Sequence, residues 1–281
     1  MIRIITDSAA DLTAAELTAP GVTVVPMTVT FADGTSREDD GSMTKDEFFA
    51  RLAEDSKLPR TSQPSPAAFI QAYEEAAAAG EEVVVITIAQ KLSGTYQCAK
   101  LAAVEGNYSP YIVDSETATQ GETLIVREAL RLRDEENLSA AEIFAALEQF
   151  KKRVRITAIV DSLKHLQKGG RLPAAVAIVG GALGIKPVLA LQDGAIKLVD
   201  KGRGRPGALV AMFKQIDKLG GVDPRYGYTL LYSDDKQLSA PVQHYMHQNL
   251  HLTGGRVGQI GPTIGTHIGP GAVGVAFVAK E

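Results

Sequence analysis

Tryptophan is absent from the 281-residue chain, and there is one cysteine, Cys98. Aromatic residues make up only 6% of it, so the core must be aliphatic. One thiol cannot close an internal disulfide, and such cysteine poverty fits a reducing cytoplasm. A basic excess is also lacking, since 29 Lys and Arg face 33 Asp and Glu. That balance argues against a dedicated nucleic-acid surface. The longest apolar stretch, Leu172 to Leu191, is broken by Pro173, Pro187, Gly180, Gly181, Gly184 and Lys186. It is too interrupted to span a bilayer as one helix. Met1-Ile2-Arg3-Ile4-Ile5 has no basic segment followed by a long apolar one, so no signal peptide is expected. There is no G-x-x-x-x-G-K-[ST] loop, no acidic cluster arranged for magnesium and no other metal set, which speaks against an autonomous kinase.

What the chain does have is length for two cores and nearly half its residues apolar. Ile2 to Thr6 reads as a buried strand, and Val22 to Phe31 as a second, ending at the turn pair Asp33-Gly34. Thr44 to Glu47 is a capping box for a helix bearing Phe48, Phe49 and Leu52. Helices are expected over Pro66 to Ala79, from about Gly94, over Thr123 to Glu136 and over Ala140 to Arg153. Strands at Val83 to Ile88 and Tyr111 to Val113 alternate with them, as in a parallel sheet covered on both faces. The second half instead opens with a hairpin signal, Asp193-Gly194 between Pro187–Gln192 and Ala195–Lys201. Helices near Gly207–Leu219 and Leu238–Leu250 follow, with strands at Tyr228–Tyr232, near Val257 and at Val273–Val278. We therefore expect an N-terminal three-layer α/β domain with a mostly parallel sheet (1–153) and a C-terminal α+β domain with a mixed sheet (154–281).

Four polar segments interrupt the apolar pattern. Pro59 to Pro66 carries Thr61 and Ser62 just before a helix, where hydroxyls and free N–H groups face its positive end. On position alone, an ordinary cap with Ser65 at its head explains it. Lys91 to Tyr96 carries Ser93, Gly94 and Thr95 at the C-terminal end of a strand, where helix N-termini collect anions. Again a cap suffices for either loop taken singly, but two such loops in one domain favour a shared anion site. Ser162 to Arg171 ends in Gly169-Gly170 and Arg171, whose planar fork suits a carboxylate or phosphate, although most arginines are simply solvated. In Gly261 to Gly271, dense glycine and proline should fix a backbone that is neither helix nor strand, with His267 held inside it.

Taken in order, these segments resemble the DegV family, whose members bind fatty acids. The resemblance covers the whole chain: Thr6-Asp7-Ser8 with Asp11-Leu12, Thr61-Ser62-Gln63-Pro64-Ser65, Leu92 to Tyr96, Gly169-Gly170-Arg171, and Thr266-His267-Ile268-Gly269-Pro270-Gly271. It implies two domains with the ligand between them, the carboxylate held by Thr61, Ser93 and His267, and Ser62, Gly94 and Thr95 close by. It also implies a non-catalytic role, with no cofactor beyond a bound long-chain fatty acid. In relatives that serve bacterial fatty acid kinase, a separate kinase subunit phosphorylates the bound carboxylate. The chain departs from the family pattern at His165, where an aromatic such as tyrosine is expected, and at Ile268, where a small polar residue is.

The residues themselves agree with this. A carboxylate in a partly dry site needs hydrogen bonds, and burying the acyl tail supplies about 0.8 kcal/mol per methylene. Val176, Ala177, Ile178, Val179, Leu183, Ile185, Val188 and Leu189 are candidate tunnel residues, though ordinary core explains any single one of them better. Gly202-Arg203-Gly204-Arg205-Pro206-Gly207 matches the dinucleotide fingerprint, but the strand before it belongs to a hairpin and the fingerprint needs a parallel βαβ unit. Lys201, Arg203 and Arg205 make a basic knob there, either a solvated turn or a contact for phosphate or an acidic partner. The rival reading is an esterase or lipid hydrolase using Ser93 and His267, with Asp7 or Asp114 as the orienting acid. It lacks a G-x-S-x-G elbow.

Overall fold

The structure, a computed structural model, describes residues 1–55, 57–176 and 184–281. The first half contains β1 (Ile2–Asp7), α1 (Ala14–Leu17), β2 (Val22–Val25), β3 (Thr28–Thr30), β4 (Ser36–Glu38), α2 (Lys45–Glu54) and β5 (Arg60–Ser62). After these come α3 (Pro66–Ala78), β6 (Glu82–Thr87), α4 (Thr95–Glu105), β7 (Tyr111–Asp114), α5 (Gln120–Asp134) and α6 (Ala140–Phe150). Strands β2-β1-β6-β7 form an all-parallel sheet. Successive side chains of a strand point to opposite faces, and here both faces are covered. Ile4, Val84 and Ile86 belong to the core with Ile125, Ile143 and Leu147, whereas Ile5 and Val85 pack with Phe69, Tyr73 and Ala99. That explains the unbroken apolar run of β6.

The second half supplies β8 (Val154–Ile159), α7 (Lys164–Lys168), β9 (Ile185–Gln192), β10 (Ala195–Arg203), α8 (Gly204–Lys218), β11 (Tyr228–Tyr232), α9 (Ala240–Gln248), β12 (Arg256–Gln259), α10 (Pro262–Ile268) and β13 (Val273–Val278). Its sheet, ordered β10-β9-β8-β13-β11-β12, is antiparallel except for β11 and β12. The fold is thus the expected α/β arrangement with one parallel and one mixed sheet. Asp193 and Gly194 both take positive φ, 53° and 73°, as a two-residue hairpin turn requires. Because β10 runs antiparallel to β9, the glycine pattern that follows it is no dinucleotide fingerprint.

Four sequence expectations need correction. Val22 to Phe31 is two strands, split at Pro26, which has no N–H for a ladder. β2 joins the parallel sheet, and β3 centres a small antiparallel sheet, β4-β3-β5. Residues Arg60–Ser62 are a strand of that sheet rather than only a cap, although Ser65 does cap α3 by accepting from Ala68 N at 3.2 Å. β8, Val154–Ile159, has no counterpart among the expected strands, because the helical pattern expected over Ala140 to Arg153 runs directly into it. The tail of dense glycine and proline is not irregular, since Pro262 to Ile268 forms a helix. Proline fits the first turn, where its missing N–H would have no partner. Gly265 is needed inside the helix because the Phe48 and Phe49 rings fill the space of a Cβ.

Candidate functional site

A cavity of about 360 Å3 opens between the two halves. Its apolar wall comes largely from strand alternation. Ile156 and Ala158 of β8 lie opposite Leu191 and Leu189 of β9, and all four face the cavity. Ile264 and Ile268, one turn apart on α10, also line it, as do Ile88 and Leu92. Of the expected tunnel residues, Leu189 lines this space. Val188 points the other way into a core with Met212 and Val275, Val176 packs against the core shared by both sheets, and neither it nor Ile185 lines the cavity. Ala177, Ile178, Val179 and Leu183 lie outside the described residues. Ile156, Leu191 and Ile264 were missed, although the spacing of Leu189 and Leu191 shows a common face.

The polar lining comprises Thr61, Ser62, Gln63, Ser93, Arg171 and His267 with Gly94, and also Thr119 and Thr263. Thr61 sits in β5 opposite Val29, a register that aims it across the cavity mouth at α10. There Thr61 Oγ1 and His267 Nε2 share a hydrogen bond of 2.7 Å. Nδ1 of the same ring lies against Gly169, where a Cβ would overlap it, and has no hydrogen-bond partner among the described residues. Burial, followed by the neighbouring Arg171 and His165, lowers the His267 pKa from 6.5 to about 4. The imidazole is therefore neutral at physiological pH and carries one N–H.

Ser93 and Thr95 hydroxyls share a 2.8 Å bond, with Thr95 fully buried behind Ser93. Gly94 is the N-cap of α4 and has no side chain to satisfy the helix's first N–H groups, which remain available at its positive end. Gln63 occupies the space a Cβ at Gly94 would take. Arg171 donates from Nε to Leu92 O at 3.0 Å and from Nη1 to Gly169 O at 2.6 Å. It ties the Ser93 loop to the His267 side, so only part of its fork remains for a ligand.

The basic knob stands apart from this cluster. Lys201 and Arg203 are exposed on β10, and neither they nor Arg205 line the cavity. Arg205 donates to Asp161 Oδ1 at 2.9 Å and to Gly271 O at 3.2 Å, so it is a paired structural residue rather than a free cation. Nor does the structure assemble a serine hydrolase relay. Ser93 bonds Thr95 rather than His267. The candidate acid Asp7 accepts from Ala9 N and Ile88 N, and Asp114 from Gln90 N and Glu116 N.

Behind the cavity lie buried carboxylates whose role the sequence did not reveal. Asp7 is pushed up to about 7 by burial, against the pull of its bonds from Ile88 and Ala9. Asp11, accepting from Thr119 Oγ1 at 2.5 Å and Gly261 N at 2.8 Å, is raised by burial to about 6. Burial also raises Asp39, which accepts from Thr263 N at 3.1 Å and Thr263 Oγ1 at 2.6 Å. Among the described residues, no group of His, Cys, Asp and Glu is placed to hold a metal ion, and no helix is long and apolar enough to cross a membrane.

Residues 1–280 match the model of the family described as "Uncharacterised protein, DegV family". The chain belongs to the DegV family. A DegV domain-containing protein of Caldanaerobacter subterraneus subsp. tengcongensis is 33% identical over 281 residues, covering 99% of each chain. Among solved structures, a fatty-acid-binding DegV family protein from Thermus thermophilus superposes with a TM-score of 0.88 at 32% identity, covering 99% of both chains. A stearic-acid-binding protein from Eubacterium ventriosum gives 0.86 at 27% identity, covering all of this chain and 99% of its own. Both solved structures share the fold of this chain over nearly its whole length.

Proposed function

We propose that this DegV chain binds one long-chain fatty acid, with the carboxylate at the polar end of the cavity and the acyl tail against its apolar wall. The observation that carries this reading is the cavity itself, an aliphatic lining that ends in hydroxyls, a helix N-terminus and a neutral histidine. In this reading Thr61, Ser93 and His267 hold the carboxylate, with Ser62, Gly94, Thr95 and Arg171 close by. If His267 donates Nε2–H to Thr61, the Thr61 hydroxyl proton is free for the ligand, and if Thr61 donates, its remaining lone pair stays beside it. The first arrangement suits an anion better: Thr61 then donates to the carboxylate, and His267, whose one N–H goes to Thr61, holds the head group through that hydroxyl rather than by direct contact. Nδ1 is left as an unpaired acceptor rather than an orphaned N–H, which is the rarer state in proteins. Each buried methylene adds about 0.8 kcal/mol. No step of the reading requires covalent chemistry by the chain, and the Ser93–Thr95 bond leaves the rival hydrolase without its nucleophile–base pair.

The finer part of the proposal is handover. A carrier that buries the tail and leaves the head group near the surface presents it to a separate kinase subunit, and the exposed cations Lys201 and Arg203 are where an acidic or phosphorylated contact would form. The test of the central reading is mass spectrometry of lipid extracted from protein purified gently from bacteria. We expect a stoichiometric long-chain fatty acid. Absence of acyl species, together with no binding when oleate is added to the stripped protein, refutes it.

A further inference from the structure

The helix that carries His267 has no cap of its own. Its N-cap is Gly261, and no side chain of that residue or its chain neighbours closes the first turn. The missing acceptors come instead from the other half of the chain. Asp11 Oδ1 accepts from Gly261 N at 2.8 Å, and Asp39 Oδ2 accepts from both the backbone N and the hydroxyl of Thr263. Lys45, at the start of α2, donates to Gln259 O at 2.7 Å, and Asp46 accepts from the Gln259 side chain at 2.8 Å, so the approach to the helix is pinned as well. Gly261 itself is forced by this arrangement, because a Cβ there would overlap Asp11 Oδ1. A side-chain cap supplied by residue 261 and the Asp11 carboxylate exclude one another.

The consequence reaches the ligand end of the helix. Thr263 and His267 are four residues apart, hence on one face, and both line the cavity. α10 has only seven residues, so a tilt at its first turn is carried to its last. We infer that Asp39, seconded by Asp11, is a positioning residue that sets the orientation of His267 from the far end of α10, by capping the helix in place of its own side chains. The Thr61–His267 bond then closes a loop of contacts, from β3 and its neighbours through Asp39 to α10 and back through His267 to β5. The groups facing His267 are Thr61, Arg171 and His165, with no carboxylate among them, so its depressed titration reports how deeply the ring is seated.

The inference rests on the fatty-acid reading only for affinity, and the test separates the two. The imidazole resonances of His267 are followed by NMR in ligand-free protein while oleate affinity is measured in parallel. In the native chain His267 should show no inflection between about pH 5 and 8, the window of ordinary histidines. Asp39→Ala should bring an inflection into that window and weaken oleate binding by about tenfold, the effect of losing a charge-assisted bond. Asp39→Asn, which keeps an acceptor oxygen for Thr263 N–H, should stay near the native chain in both. Ser139→Ala, which removes a cap of the same kind from the distant α6, should leave both readouts unmoved. If Asp39→Ala does not fold, Thr263→Val, which deletes one of the two donors to Asp39, decides by the same readouts. An unmoved His267 with unchanged affinity, or equal movement in Ser139→Ala, overturns the inference. Failure of the native chain to bind oleate removes the functional reading but leaves the titration arm standing.

Discussion

Thr61→Val is the sharpest single perturbation of the site. Valine keeps the shape and β-branching that suit β5, so the change removes one hydroxyl and little else. His267 Nδ1 already has no partner, and the mutation takes the partner from Nε2 as well. Leaving a buried polar group unpaired costs ~1–3 kcal/mol, which lowers Tm by about 2–4 °C for each kcal/mol in a chain of this size. The ligand loses more, because a hydrogen bond to a charged acceptor is worth about 1.5–3 kcal/mol. At 1.4 kcal/mol per tenfold, oleate Kd should rise about 10- to 150-fold. The assay is displacement of a fluorescent fatty acid, with a thermal melt of the stripped protein alongside. Ser93→Ala makes the comparison, since Ser93 is only half-buried and Thr95 stays behind it. Its affinity should fall by a similar factor, and its Tm should fall as well, because the buried Thr95 hydroxyl loses its partner. If a folded Thr61→Val binds oleate within about twofold of the native chain, the free energy assigned to this hydroxyl is wrong, and the head group lies elsewhere in the cavity.

Two further outcomes follow from the charges. Asp7 binds its proton more tightly in the folded chain, at about 7, than in the unfolded one, at 3.8. Its stabilising contribution is therefore complete below the lower value and is lost as pH rises through the upper one, with ~4 kcal/mol as a ceiling at 1.36 kcal/mol per pH unit. Tm should fall from about pH 4 to pH 7, and Asp7→Asn should flatten that slope in scanning calorimetry; an equal slope in the variant rules Asp7 out as its source. On the basic knob, Lys201→Ala with Arg203→Ala should leave bound lipid unchanged by mass spectrometry but slow acyl phosphate formation by an added kinase subunit. The slowing should be greatest at low salt, because steering is screened beyond about 8–10 Å in physiological buffers. Equal rates at low salt would make the pair a solvated turn.

Much of the architecture was legible because it is local. The turn at Asp193-Gly194, the box at Thr44 to Glu47 and the doubly buried β6 each declare themselves within a few residues. Thr61, Ser93, Gly94, Arg171 and His267 also stood out, because hydroxyls and glycines interrupt apolar runs at helix starts, and the structure gathers them around one cavity. The Thr61–His267 pairing spans 206 positions and leaves no local trace. α10 was illegible for a related reason. Glycine and proline at that density disfavour a helix on propensity, and what overrides propensity is capping by Asp11 and Asp39 from the far end of the sequence. Arg205 looked like a free cation because nothing near it in the chain shows Asp161 in reach.

The central helix α5 bears on how the molecule comes apart. Residues Gln120 to Val126 are buried without a break, and the helix packs against β1 and β6 on one side and β8, β11 and β13 on the other. A helix buried all round belongs to neither sheet alone. Cutting the chain after Arg153 would leave the flank of α5 that faces β8 and β13 wet. The two halves should therefore melt as one cooperative transition in scanning calorimetry, and two separate transitions would show that α5 does not couple them.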